Sequence, residues 1–113
     1  MDKGFKKNLY KIIGENIRVQ REQLGLTQED VANHLTLTRT SVTNLESGNQ
    51  FTPLDIIIDI AEVLGIDDYR DLLPSIREVN ESYFMALLSK LDVSDNDQHK
   101  IMKIISENKK EDG

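Results

Sequence analysis

Gly25, Gly48, Pro53, Gly65 and Pro74 cut a chain whose apolar residues otherwise recur at helical spacing. Glycine ends a helix because it takes the left-handed conformation past the last turn at little cost, and proline lacks the amide that a helix interior needs. Only short helices fit between those breaks. No stretch alternates polar and apolar residues long enough to read as a strand, so the spacing predicts an all-α fold.

Leu9, Ile13, Ile17, Val19 and Leu24 predict a first helix from about Asn8 to Leu24, stopped by Gly25. A second begins at Thr27, whose hydroxyl can cap free amides while Asp30 completes an acidic capping box; Val31, Ala32 and Leu35 form its inner face. A third covers Arg39 to Ser47, with Val42 and Leu45 inward and Gly48 as its stop. Pro53 opens a fourth with Leu54, Ile57, Ile58, Ala61 and Leu64 inward, and a short fifth from Asp67 to Leu73 stops at Pro74. Beyond it, Ile76, Val79, Tyr83, Phe84, Leu87, Leu88 and Leu91 form a wide apolar face. Ser94 and Asp97 cap a last helix carrying Ile101, Met102, Ile104 and Ile105. The expected organisation is a five-helix domain over residues 8–73 and a helical hairpin over 75–108, with a polar tail from Lys109 that should fray.

At 113 residues and 38% apolar, the chain can close one modest core. The absence of cysteine excludes disulfides and thiolate chemistry; His34 and His99 stand far apart with no ligand-spaced partners, so no metal site and no cofactor are expected. No nucleophile elbow or phosphate loop is present, so an enzyme is not expected. The apolar run Ile56 to Ile58, like every other in the chain, is too short for a membrane span, and the basic segment Met1 to Gly14 lacks a signal-type apolar region; the cytoplasm is the expected location.

A net charge of -6 argues against a polyanionic partner until its distribution is considered. Residues 1–50 carry seven lysines and arginines against six acids, a net of +1, whereas residues 51–113 carry seven against fourteen, a net of -7. The first half can face nucleic acid while the second keeps the protein soluble or meets another partner.

Between Gln28 and Leu45, the residues Val31, Ala32, Leu35, Leu37, Val42 and Leu45 suit two short helices meeting at a steep angle, Ala32 being small enough to permit close approach. The outward residues of the second of these, Arg39, Thr40, Thr43 and Asn44, suit a helix lying in a major groove. The run TQEDVANHLTLTRTSVTNLESG, with REQLGL before it and LDIIIDIAEVLGI after it, closely resembles the lambda-repressor-like helix-turn-helix domain of Xre-type regulators, over about Asn8 to Leu73.

The resemblance implies a sequence-specific regulator of transcription, most simply a repressor that binds a palindromic operator on double-stranded DNA as a homodimer through the helix at 39–47. It implies that Gln28, beside the capping Thr27, contacts a phosphate and braces the recognition helix. Thr38, Arg39, Thr40, Thr43 and Asn44 match recognition positions, Ser47 to Asn49 match a loop that touches the backbone, and Arg21 with Glu46 match an internal ion pair. Two positions depart from the family pattern. Thr36 stands where glycine is usual, at a strain of about 1–3 kcal/mol if its φ is positive. Gln50 and Thr52 stand where many members carry lysine or arginine, which implies fewer phosphate contacts. The apolar face of Val79, Tyr83, Phe84, Leu87, Leu88 and Leu91 is expected to be a dimer or partner interface, its alternative being a cover for the chain's own core. Two other readings stay open: an antitoxin or restriction-modification controller, and a phage-type inhibitor or adaptor whose acidic half binds a protein.

Overall fold

A computed structural model describes the backbone of residues 1–91 and 94–112, and the side chains of 1–91, 94 and 96–104. Its helices are α1 (Lys3–Gln23), α2 (Gln28–Leu35), α3 (Arg39–Ser47), α4 (Leu54–Val63), α5 (Ile76–Lys90) and α6 (Asp95–Asp112), with a 3-10 turn at Tyr69–Leu72 between α4 and α5. The described residues contain no strand, and no helix among them is long and apolar enough to cross a membrane.

Helix α1 begins at Lys3 rather than near Asn8, because the Asp2 carboxylate accepts from the amides of Gly4 at 2.8 Å and Phe5 at 3.3 Å. Its buried stripe is Ile13, Ile17 and Arg21, each four residues from the last. Val19 and Leu24, expected on that stripe, are exposed; the step of four from Ile17 leads to Arg21 and leaves them on another face.

The capping box at the start of α2 is complete: the Thr27 hydroxyl accepts from the Asp30 amide at 3.0 Å, and the Asp30 carboxylate accepts from the Thr27 amide at 2.8 Å. The Thr27 amide above all, and then the Thr27 hydroxyl, hold the Asp30 carboxyl below its usual range. Thr36 ends α2 at φ 58°, the left-handed region, so the turn carries a strain of about 1–3 kcal/mol that the flanking packing must hold. The Leu37 amide then donates to the Ala32 carbonyl at 2.9 Å and turns the chain into α3.

In α4 and its C-cap residue Leu64, the buried residues are Ile57, Ile60, Ala61 and Leu64, the i, i+3, i+4, i+7 pattern of one face. Leu54 and Ile58, expected inward, are exposed, and Ile60 takes the place assigned to Ile58. Pro53 is the N-cap residue of α4. The expected fifth helix shrinks to a 3-10 turn that nonetheless buries Leu72 completely, and Asn16 Nδ2 donates to the Leu72 carbonyl at 3.1 Å, tying it to α1.

One cluster joins Ile13 and Ile17 of α1, Leu45 of α3, Ile57, Ile60, Ala61 and Leu64, and Leu72; a smaller one joins Val31 and Ala32 to Val42. At about 1.5–3 kcal/mol for each large apolar side chain withdrawn from water, these clusters set the angles of α2 and α3. Gly14 fixes the crossing of α1 and α3. A Cβ there would stand 2.3 Å from the Leu45 carbonyl oxygen and 2.6 Å from that of Glu46, inside any tolerable contact.

Helix α5, capped by Ser75 and Glu78, packs along α1, and α6 packs on α5. Val79 and Leu88 are buried within the chain, and the Tyr83 ring meets Phe5 edge-on at 6.2 Å. The apolar face expected to meet a partner is thus divided: Val79 and Leu88 turn inward, Tyr83 and Phe84 are half-buried, and Leu87 and Leu91 are exposed. Val79 and Leu88 lie nine positions apart, on opposite sides of α5, and a helix packed between α1 and α6 buries a residue on each side. Ser94 Oγ accepts from the Asp97 amide at 3.2 Å at the start of α6. The Ile105 side chain and those of the tail from Lys109 lie outside the described residues.

Candidate nucleic-acid interface

Helices α2 and α3, joined by Thr36 to Thr38, present one polar surface, held in place from beneath. Glu46, near the end of α3, is buried, and its two oxygens accept from Arg21 Nε at 2.6 Å and Nη2 at 2.9 Å. Arg21 Nη1 donates to the Leu26 carbonyl at 2.8 Å. A bidentate pair with its spare donor satisfied avoids the penalty of a lone buried charge. The hydrogen bonds to the Glu46 carboxylate hold the Arg21 guanidinium above its ordinary range.

Gln28 extends the pair to the surface. Its Nε2 donates to Glu46 Oε1 at 3.0 Å, and its Oε1 accepts from the Thr43 hydroxyl at 2.7 Å. One chain of polar contacts therefore runs from α1 through Glu46 to the first turn of α2 and the outer face of α3. The second Nε2 hydrogen of Gln28 remains free to donate outward.

Several nominated side chains are committed inside the protein. The Thr38 hydroxyl accepts from the Ser41 amide at 3.0 Å and donates to Ser41 Oγ at 2.9 Å, so it serves as the N-cap of α3. Thr27 caps α2, and the Ser47 hydroxyl donates to the Asn44 carbonyl at 3.1 Å. Arg39, Thr40, Asn44 and Asn49 are different. Their side chains make no hydrogen bond or ion pair with any described residue; Arg39, Thr40 and Asn49 are exposed and Asn44 is half-buried. Of the departures from the family pattern, Gln50 is exposed after the loop but Thr52 is buried and cannot reach a ligand.

Two structural requirements escaped the sequence reading. Gly14 has a legible signal, a lone glycine inside a helical pattern, which commonly marks a close backbone approach. The acceptance of Arg21 by the Leu26 carbonyl has none, since any residue supplies a carbonyl. Among the described residues no group of histidine, aspartate or glutamate could hold a metal ion.

Residues 14–74 match the family described as Helix-turn-helix domain, more than half of the chain. Over 56 residues the chain is 38% identical to an uncharacterised HTH-type transcriptional regulator of Methanothermobacter thermautotrophicus, covering 50% of this chain and 81% of that one. Its fold is similar to the restriction-modification controller protein C.AhdI from Aeromonas hydrophila, with a TM-score of 0.53 and 34% identity over 57% of this chain and 96% of that one. It is also similar to the hypothetical transcription factor NHTF from Neisseria, with a TM-score of 0.57 and 29% identity over 65% and 83%. The chain belongs to the helix-turn-helix family, in its Xre-like branch. It is a DNA-binding regulator of transcription.

Proposed function

We propose that the protein is a cytoplasmic repressor, without enzymatic activity, that binds a palindromic operator as a homodimer with α3 in the major groove. The observation that carries this reading is the contrast along α3: Glu46 and Thr43 hold it down through Arg21 and Gln28, while Arg39, Thr40 and Asn44 keep unpaired polar ends outward. A preorganised helix loses little freedom on binding, and its open donors are what base edges accept.

In this reading Arg39 donates to a guanine edge or the adjoining phosphate, and Asn44 and Thr40 read neighbouring positions. Gln28 gives its free amide hydrogen to a phosphate at the N-terminus of α2, where the Thr27 hydroxyl hydrogen and the helix dipole also favour an anion. Asn49 and Ser47 meet the backbone beyond α3. Thr38 contributes through its cap and Thr43 through its grip on Gln28. Exposed Leu87 and Leu91 on α5 supply the seam between subunits.

A restriction-modification controller is the second reading, favoured by the likeness to C.AhdI over nearly all of that protein's length. The two share a mode of DNA binding and differ in the genes controlled. Selection from a random duplex pool followed by footprinting tests both: enrichment of an inverted repeat protected on one face supports the reading, and no enrichment overturns it. A protected site upstream of a restriction gene would favour the controller.

A further inference from the structure

Helix α1 opens with an arrangement that works against its own stability. Lys3, Lys6 and Lys7 occupy its first turns, with no acid in the first turn, where the partial positive charge of the helix terminus repels cations. Lys3, Lys7 and Lys11 also recur every four residues, so like charges stack along one face. Asp2 caps the terminus through the amides of Gly4 and Phe5 and also accepts from the Tyr83 hydroxyl, but it makes no ion pair with any of the three lysines. Lys3 and Lys7 are exposed and make no hydrogen bond or ion pair with any described residue, and like charges kept together without such partners mark a functional surface.

The lysines stand beside the C-terminal end of α3. Lys3, Lys6 and Lys7 line one hollow with Gly48, Asn49 and Phe51. That junction is rigid: a Cβ on Gly48 would lie 2.6 Å from Lys11 Cα, the Lys6 ammonium sits 3.9 Å above the centre of the Phe51 ring, and Phe51 packs on Tyr10 with ring centres 4.9 Å apart. In the reading proposed above, Asn49 meets the phosphate backbone beyond α3, and the lysines beside it extend that contact.

We propose that Lys3, Lys6 and Lys7 form a second clamp on the phosphodiester backbone of the bound duplex, carried by the early turns of α1, in place of cations absent after the recognition helix at Gln50 and Thr52. Lys3 and Lys7 supply direct phosphate contacts. Lys6, held over Phe51, keeps the loop against α1 and adds its charge. The clamp reads no bases and sets affinity and register. It rests on the DNA-binding orientation proposed for α3.

The test is equilibrium binding of the full chain, across a salt series, to its selected site and to random duplex. Lys3→Gln with Lys7→Gln should weaken both by about tenfold or more and flatten the slope of log affinity against log salt by about two. Its melting temperature should hold or rise, because two cations leave a helix N-terminus. An unchanged slope would overturn the clamp. So would an equal loss from Lys90→Gln with Lys103→Gln, which removes the same charge from α5 and α6, or a fall in melting temperature, which would make the lysines structural. A wild-type chain that binds neither duplex overturns the orientation of α3 and the clamp with it, whereas a wild-type binder insensitive to the lysine changes overturns the clamp alone.

Discussion

Gln28 and Glu46 meet at 3.0 Å, joining the first turn of α2 to the buried end of α3 across eighteen positions of sequence. Gln28 thus serves at once as a brace and as a group facing outward, and its removal should show both effects. Gln28→Ala leaves the Thr43 hydroxyl with only the Arg39 carbonyl as acceptor and deletes an amide donor, so binding to the selected site and to random duplex should fall together. A loss of about 0.5–1.5 kcal/mol for each contact is expected, with preference among sequences retained. Anisotropy on both duplexes checks this; unchanged binding to random duplex would remove the phosphate role.

Arg39→Ala should behave differently. A guanidinium reading a base edge carries about 1–3 kcal/mol of discrimination, so the substitution should weaken the selected site more than random duplex and relax preference at one base pair. Competition with single-position variants of the site measures this. A uniform loss on all sequences would assign Arg39 to a phosphate.

The ion pair beneath the surface is a matter of stability. Glu46→Ala leaves Arg21 buried without its acceptor and should cost about 3–5 kcal/mol in urea unfolding. Replacing both partners by apolar residues of similar volume should cost less than either single change, because no charge is then left alone. An additive double mutant would show that the two side chains do not act as a unit.

Much of this arrangement is legible in the residues themselves. Thr27 with Asp30 marks the start of α2, Gly48 marks the end of α3, and the spacing of Val31, Ala32, Val42 and Leu45 states which faces turn inward. Elsewhere the local signal was ambiguous or overruled. Ile56 to Ile58 is continuously apolar, so periodicity could not tell which isoleucine faces the core. Apolar spacing places the start of α1 too late because the helix begins at a polar cap, Asp2, which that spacing does not register. Arg21 and Glu46 lie twenty-five positions apart with no pattern joining them, and only likeness to a family pairs such residues. The division of the α5 face depends on the chain folding back along α1, a non-local fact.

The contact between Asp2 and Tyr83 on that returning helix makes docking of α5 on α1 depend on pH at both extremes. The Tyr83 hydroxyl, then the Gly4 and Phe5 amides, hold the Asp2 carboxyl below its usual range, while Asp2 raises the Tyr83 hydroxyl above its own. The lowered carboxyl contributes stability that is present above its unfolded value, about pH 3.9, and is lost as pH falls through the folded value. The raised phenol contributes stability that is present below about pH 10 and is lost as pH rises through its folded value. The difference in melting temperature between the native chain and Tyr83→Phe should therefore be greatest at neutral pH and shrink toward both extremes. A difference that does not vary with pH would mean the hydroxyl does not bond to the carboxylate.

Leu87 and Leu88 adjoin in sequence yet face different surroundings, and that contrast separates packing from association. Leu88 is 6% exposed and Leu91 72%, with Leu87 at 38% on the same outward side as Leu91. Leu88→Asp would bury a carboxylate without a partner and should destabilise the chain by about 3 kcal/mol or more, whatever its oligomeric state. Leu87→Asp with Leu91→Asp changes only positions exposed on the single chain, so the helicity of each subunit should be retained. If these two leucines form the seam between subunits, that double change yields a folded monomer in sedimentation, binding a half-site weakly and an inverted repeat without cooperativity. A dimer that survives both aspartates would place the two-fold contact away from the hairpin and leave α5 as a brace for α1 alone.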